Sequence, residues 1–386
     1  MSSNFNLMVM EHIIKFYPVG NADCTLVKLD NGRTIIIDCC FREVANDKDG
    51  NPTIFDVKKD LLNELKKTDG HPYVDLFINT HPHKDHIVGF DEHFYCGNPK
   101  DYDEEKHADK IIIGELWVTP ETLTNDVASD VEPLRKEAKR RRKLYTDDDD
   151  YHGEEGNYLR IVGYDKDKEF DSRYGYVPGK IVKKANGHNF SWLEIFIHAP
   201  FKEEVTDSKE KGDKNLTSIV MQFGFKVEER EDIVCKAILG GDAEHPVWTH
   251  IIENNSDEEK LKWNLLLAPH HCSWSFFGSD SKSDDISESA VTMLNDYQIG
   301  DLAHIIASSD KIEDNDNNPP SYKAKEQYKK YLKNKDNFHC VADTNVENDI
   351  PQPIVYKISR NGKTLQNRSV SATESVTSRP APRAGK

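Results

Sequence analysis

Residues 74–86 read VDLFINTHPHKDH, an apolar run that ends in three histidines and an aspartate within six positions: His81, His83, Asp85 and His86. A short run of Val, Leu, Phe and Ile bounded by turn signals reads as a fully buried strand. Neutral imidazole is the commonest protein ligand for zinc and its neighbours, and a loop at a strand end can fan alternate side chains toward one point. With His81 and His83 two apart and Asp85 beside His86, the loop offers two ligands to one ion and two to a second. The apolar strand just upstream makes a chance surface cluster of histidines the weaker reading.

Upstream of this stretch, IIKFY (13–17), CTLVKL (24–29) and RTIIID (33–38) read as strands, the last two joined by Asn31-Gly32, a strong hairpin signal. Residues 54–67 carry Ile54, Val57, Leu61, Leu62 and Leu65 at helical spacing. Downstream, strands are expected at 111–118, 193–198, 218–225, 234–241, 264–269, 302–308 and 354–359, with helices at 244–253, 286–296 and 321–334. Sheets with helices on their outer faces make an α/β layered domain.

The chain has 386 residues, 37% hydrophobic and 31% charged, enough apolar content for a sizeable core. It has no apolar run of about 18 residues, so a membrane-spanning helix is excluded. The opening MSSNFNLMVMEHIIKF lacks the pattern of a secretory signal, and the expected location is the cytoplasm. Seven cysteines without a CxxC pair form neither a disulfide framework nor a zinc knuckle and are read as reduced. A net charge of -17 argues against a general nucleic-acid coat protein. It does not exclude nucleic acid at a metal centre, where two divalent ions supply about four positive charges locally.

Residues 1–365 are read as one domain with a charged insertion around 100–188. Within it RKEAKRRRKLYTDDDD (135–150) is taken as a solvated helix entering an acidic loop, in preference to a nucleic-acid patch. Residues 366–386, rich in Ser, Thr, Pro, Arg and Ala, are expected to be a disordered tail. Cys39 and Cys40 follow a buried strand and are read as core thiols, Cys272 is not read as a nucleophile, and His198 is open to two readings, core or site.

THPHKDH resembles the HxHxDH signature of the metallo-beta-lactamase fold superfamily, and further pieces follow in that superfamily's order. Asp38 closes TIIID, ILGGDA (238–243) carries Asp242, and APHHCS (268–273) offers His270 and His271. GNADCTLVKLDNGRTIIIDCC, KNLTSIV and the SSD…NNPP stretch are similar to the soluble hydrolase domain of ComEC-type competence proteins, over roughly residues 12–360 apart from the insertion. The resemblance implies an α/β fold, a four-layer αββα metallo-beta-lactamase sandwich.

It also implies two divalent metal ions, manganese or zinc. The ligand set carried over is His81, His83, Asp85, His86, Asp242 as the bridge, and one ring of the double histidine, assigned to His270. The catalytic residues are Asp85, Asp242 and His271, the spare ring that protonates a leaving group or holds a phosphate oxygen. Asp38 orients a ligand ring from behind. Asn215 stands where many members of the superfamily have a third-motif histidine, an oxygen-richer set that suits manganese better than zinc. The implied activity is a metal-dependent phosphodiesterase or nuclease acting on nucleic acid or a nucleotide, without a membrane partner and with room for a protein partner encoded nearby. Hydrolysis of a lactone, thioester or amide on the same metals, or a degenerate metal-binding partner module, are the alternatives.

Overall fold

The apolar runs fold as strands because sheets buried on both faces need such runs, and a computed structural model describes them over residues 11–124, 128–147, 149–163, 171–227 and 232–366. In chain order the principal strands are β1 (His12–Phe16), β2 (Thr25–Lys28), β3 (Thr34–Ile37), β4 (His71–Ile78), β5 (Ile112–Val118), β6 (Tyr158–Val162) and β7 (Leu193–Ala199). They continue with β8 (Val220–Lys226), β9 (Ile233–Leu239), β10 (Leu265–Leu267), β11 (His304–Ala307), β12 (Phe338–Cys340), β13 (Ile354–Ser359) and β14 (Gly362–Leu365).

One sheet runs β6-β5-β4-β3-β2-β1-β13-β14, parallel from β3 to β6 and antiparallel on the other side. The second runs β7-β8-β9-β10-β11-β12, antiparallel up to β9 and parallel beyond it. Side chains alternate between faces along each strand, and the core divides accordingly. Ile14, Ile35, Leu76 and Trp117 of the first sheet share one apolar cluster with Ile195, Phe223, Ala237 and Ile306 of the second. On its other face the first sheet packs Ile36, Phe77 and Leu116 against Leu61 of α1 (Val57–Glu64) and Leu134, Ala138 and Tyr145 of α2 (Glu132–Thr146). The second sheet packs Ile238, Leu266 and Ile305 against α3 (His245–Asn254), α4 (Glu288–Asn295) and α5 (Tyr322–Tyr331) through Trp248, Met293 and Tyr328. The result is a mixed α/β sandwich, in which truncating a fully buried residue such as Leu76 to Ala would cost about 2–5 kcal/mol.

The stretch read as an insertion contributes to the main sheet. β5 and β6 lie within 100–188 and pair with β4 and with each other, and α2 covers them. Its basic block is accordingly not a wholly solvated face. Arg141 is 1% exposed, donates to Glu137 Oε1 at 2.7 Å, and donates to the carbonyls of Ile113, Gly114 and Tyr158 at 2.9, 3.2 and 2.9 Å. Arg140 pairs with Glu137 and Asn157, whereas Lys143 is exposed. An arginine at helical spacing from apolar residues is read as surface by composition alone; the Arg141 guanidinium instead satisfies strand carbonyls. The tail expected over 366–386 lies, beyond Gln366, outside the described residues. Among the described residues no helix is long and apolar enough to cross a membrane.

The parallel strands β3 and β4 of one sheet and β9 to β11 of the other run into loops that meet at one rim. That is where open α/β sheets place their ligands. His198, by contrast, belongs to the core. It is 3% exposed, its Nε2 lies 3.0 Å from the Lys260 carbonyl and its Nδ1 accepts from Asn255 at 3.2 Å.

Burial depresses the His198 ring to about 3, so the unfolded chain binds a proton below about pH 6.5 that the folded chain refuses. Stability from this ring is therefore present above pH 6.5 and lost as pH falls toward 3. Relative to His198→Gln, which retains a donor for Lys260, the wild-type unfolding free energy should fall by on the order of 1.4 kcal/mol per pH unit between pH 6 and 5. Urea unfolding curves at those pH values measure it, and parallel curves for the two proteins would contradict it.

Candidate metal centre

Asp38 follows β3 with φ 54 and is fully buried. Its carboxylate accepts from the Thr80 amide at 2.7 Å, the Thr80 hydroxyl at 2.6 Å and Asn79 Nδ2 at 3.1 Å, all at the end of β4. It also accepts from His86 Nδ1 at 2.8 Å, which leaves His86 Nε2 facing inward. The carboxylate thus ties the strand end to the histidine loop and sets the tautomer of one ring. From the other sheet, β9 ends in Gly240-Gly241-Asp242. A Cβ on Gly241 would stand 2.7 Å from Thr80 Oγ1, so glycine is what lets the two strand ends approach.

Asp242 is 1% exposed and lies at the centre, and its two oxygens divide the rings around it. Oδ2 lies 3.5 Å from His81 Nε2 and 3.6 Å from His270 Nε2, and His83 Nδ1 is 3.1 Å from His81 Nε2. Oδ1 lies 3.1 Å from His86 Nε2 and 3.5 Å from His271 Nε2. Asp85 Oδ2 joins the second group, 3.2 Å from His271 Nε2 and 3.8 Å from His86 Nε2. Among the described residues, two sets have ligand atoms within 4.8 Å of one another: His81, His83 and Asp242; and Asp23, His86, Asp242 and His271. This buried Asp/His cluster could hold metal ions.

The unpaired donors and acceptors of the centre support that fit. His86 Nε2 and Asp242 Oδ1 are buried 3.1 Å from each other, with only that contact, poorly aligned for a hydrogen bond, between them, a costly arrangement for polar atoms that a coordinated cation would relieve. The charges agree. Burial disfavours a charged His86 ring, but Asp242 and Asp38 outweigh burial and raise it well above the usual range. Burial opposes a charged His271 as well, and Asp242, Asp85 and Asp23 lift it to about 9. His81, deeper and beside His86, is driven the other way, first by burial and then by that neighbouring ring. Burial resists ionisation of Asp242, yet His86, His271 and His81 hold it well below the ordinary carboxylate range. Cations in the cluster would take the place of these shared protons.

The rim gathers the residues that the sequence motifs single out. His81, His83, Asp85, His86, Asp242, His270 and His271 all face one space, drawn from both sheets. The rings of His270 and His271, of which one is expected to ligate and the other to remain spare, occupy different surroundings. His271 is the one in the tight cluster, 1% exposed, with Nδ1 3.1 Å from the Ser308 carbonyl. His270 faces the other oxygen of Asp242, with Nδ1 3.0 Å from Ser275 Oγ and 3.6 Å from Glu244. Asp38 stands behind the rings. Asn215 is outside both sets: its Oδ1 is buried without a hydrogen-bond partner and its Nδ2 lies 3.4 Å from Glu244 Oε1. Cys272 is buried, its thiol pushed up by burial, and Cys39 and Cys40 are buried in the apolar layer.

Asp23 is a rim residue that no motif reading singles out. It is 4% exposed, 3.7 Å from His271 Nδ1 and 4.0 Å from His86 Nδ1, and burial raises it to about 6. Its sequence signal is its place in the GNADCTLVKL stretch directly before β2, which the resemblance includes without giving Asp23 a role.

No family model matches the chain, and no curated protein matches it in sequence. Among solved structures it is similar to the crystal structure of isothiocyanate hydrolase from Delia radicum gut bacteria, at 12% identity and a TM-score of 0.38 over 86% of this chain and 97% of that one. The metal assignment rests on the geometry of the rim.

Adding Mn2+ or Zn2+ to chelator-treated protein should raise its unfolding midpoint, by about 2.7 kcal/mol of stability at a hundredfold excess over Kd. Asp242→Ala, which removes the shared carboxylate, should abolish most of the increase. An unchanged wild-type midpoint would contradict the metal assignment.

Proposed function

We propose that this chain is a metal-dependent hydrolase of the four-layer αββα metallo-beta-lactamase arrangement, ComEC-like, and that it cleaves phosphodiesters in nucleic acid or a nucleotide. One observation carries the reading: the Asp242 carboxylate divides two groups of ligand-type side chains between its two oxygens, as a bridging ligand between two ions would. In this reading His81, His83 and His270 would hold one ion, Asp85, His86 and His271 would hold the other, and Asp242 would serve both. Divalent ions, when bound, would activate water at neutral pH and offset negative charge in the reaction.

The chain's own residues set the geometry. Asp38 keeps His86 Nδ1 protonated and its Nε2 free, and the Ser308 carbonyl does the same for His271. Asp23, on the Nδ1 side of both rings, orients them further. Ser275 and Glu244 fix His270 from its Nδ1 side. Asn215 offers a buried oxygen with no partner near Glu244, an oxygen-rich edge that favours manganese over zinc. With a net charge of -17 and Arg141 committed to strand carbonyls, attraction of a phosphodiester rests on the ions themselves rather than on the basic block. We place the activity in the cytoplasm, with any further protein partner secondary to the hydrolytic reaction.

Manganese-loaded protein should hydrolyse bis-p-nitrophenyl phosphate and cleave DNA, RNA or a nucleotide, faster than the zinc-loaded form. His81→Ala combined with Asp85→Ala should reduce kcat by a factor of at least about 1,000 while far-UV circular dichroism stays that of the wild type. Rapid turnover of a lactone, thioester or amide with every phosphodiester inert would transfer the site to that chemistry. Metal binding without turnover of either class would make it a binding module.

A further inference from the structure

We infer that Asn318 is a positioning residue for the adjacent pair His270 and His271, its side-chain carbonyl anchoring the exit of the turn that carries them. This role rests on the reading of both rings as metal ligands. His270, His271 and Cys272 have φ of 51, 52 and 66, three successive non-glycine residues in the left-handed region. Each is unfavourable for an L-residue, and such residues persist only where their surroundings over-determine them. The conformation has a use: it turns two neighbouring rings outward so that one meets Oδ2 of Asp242 and the other Oδ1, with ring centroids 6.0 Å apart.

The tethers that hold the turn are few. At its entry the His270 amide donates to the Gly241 carbonyl at 3.0 Å, and within it the Ser273 amide donates to the His270 carbonyl at 2.8 Å. At its exit Asn318 Oδ1 accepts from both Ser273 Oγ at 3.0 Å and the Trp274 amide at 2.8 Å. Ser273 Oγ in turn accepts from the Ser275 amide at 3.1 Å, and Ser275 Oγ reaches His270 Nδ1 at 3.0 Å. One carboxamide oxygen is therefore connected, through two serines, to the ring on the Oδ2 side of the centre.

The loop that carries Asn318 is itself fastened to the rest of the rim. Ser308, at its start, accepts from His271 Nδ1 through its carbonyl and donates through its hydroxyl to the Ala22 carbonyl at 2.6 Å, next to Asp23. Asn21 accepts from the Asp310 amide at 2.9 Å and donates to the Pro319 carbonyl at 3.5 Å, and the Ser321 amide donates to the Cys272 carbonyl at 2.9 Å. Asn318 itself is an exposed residue, so its loss leaves the apolar core untouched.

The test compares wild type, Asn318→Ala and Asn318→Asp, the last retaining an acceptor oxygen. Amide exchange is followed in chelator-treated protein, and manganese affinity by titration. Asn318→Ala should speed exchange of the Trp274 and Ser275 amides at least about tenfold and weaken manganese binding by about 10–100-fold, with the thermal midpoint of the chelated protein within about a degree of wild type. Asn318→Asp should recover both. Wild-type exchange and affinity in Asn318→Ala would overturn the inference. So would losses confined to the global midpoint, or an Asp variant that recovers neither readout. The outcome is separable from the hydrolase reading: a wild type that binds manganese but cleaves no substrate defeats that reading alone, and the exchange comparison decides the anchor even in protein that binds no metal.

Discussion

A carboxylate taken out of water is the constraint around which this rim is built. Asp242 is buried at the junction of two sheets, and an isolated charge there would cost several kcal/mol. The protein surrounds it with imidazoles rather than with arginine or lysine. An arginine would neutralise it permanently and close the space; imidazoles can give up their protons and exchange one form of positive charge for another. The second layer follows from that choice. Each ring that faces Asp242 from the Oδ1 side has its outer nitrogen occupied, His86 by Asp38 and His271 by the Ser308 carbonyl, so that only the inner nitrogen remains free.

Much of the framework is legible in the sequence because two-sided burial leaves a direct signature. The runs at 74–79, 111–118, 193–198, 218–225 and 354–359 coincide with strands to within a few residues. The helices at 244–253, 286–296 and 321–334 do likewise, through apolar residues at helical spacing. The strand at Tyr158–Val162 and the terminal hairpin strand Gly362–Leu365 escape notice because one carries an arginine at its centre and the other is short, polar and at a sheet edge. The charged helix 132–146 is misleading for the same reason: its apolar residues Leu134, Ala138 and Tyr145 are spaced among basic and acidic residues, of which Glu137 and Arg141 are buried with them.

The rim is legible to a different degree. Histidines and acids at the ends of apolar runs announce themselves, since strand ends in layered α/β domains converge. Which nitrogen faces inward does not, because that depends on partners far along the chain, such as Asp38 for His86. The roles of His270 and His271 are undecidable from sequence for a local reason. Adjacent residues in an extended or helical backbone point apart, and only the left-handed turn lets both rings serve one carboxylate. Asp23 lies in a stretch that carries the resemblance, yet its place at the rim is not legible there, since one acid in a loop of Gly, Asn and Ala is also ordinary turn chemistry.

The division of the rim between two sheets has a consequence in time. Asp85 and His271 touch across 186 positions of chain, and Asp242 stands between them on the second sheet. Contacts of such sequence separation form late, after the loop-closure entropy of the intervening chain has been met. During synthesis the loop with His81, His83 and His86 exists before any residue of β9 or β10 has been made, as an incomplete cradle with a weaker hold on any ion. The close approach of Gly241 to Thr80 then brings in Asp242, and the turn after β10 brings in His270 and His271. If the cluster holds an ion, tight binding would therefore wait for the docking of the two sheets, and the ion would stabilise the docked state rather than the half-built chain.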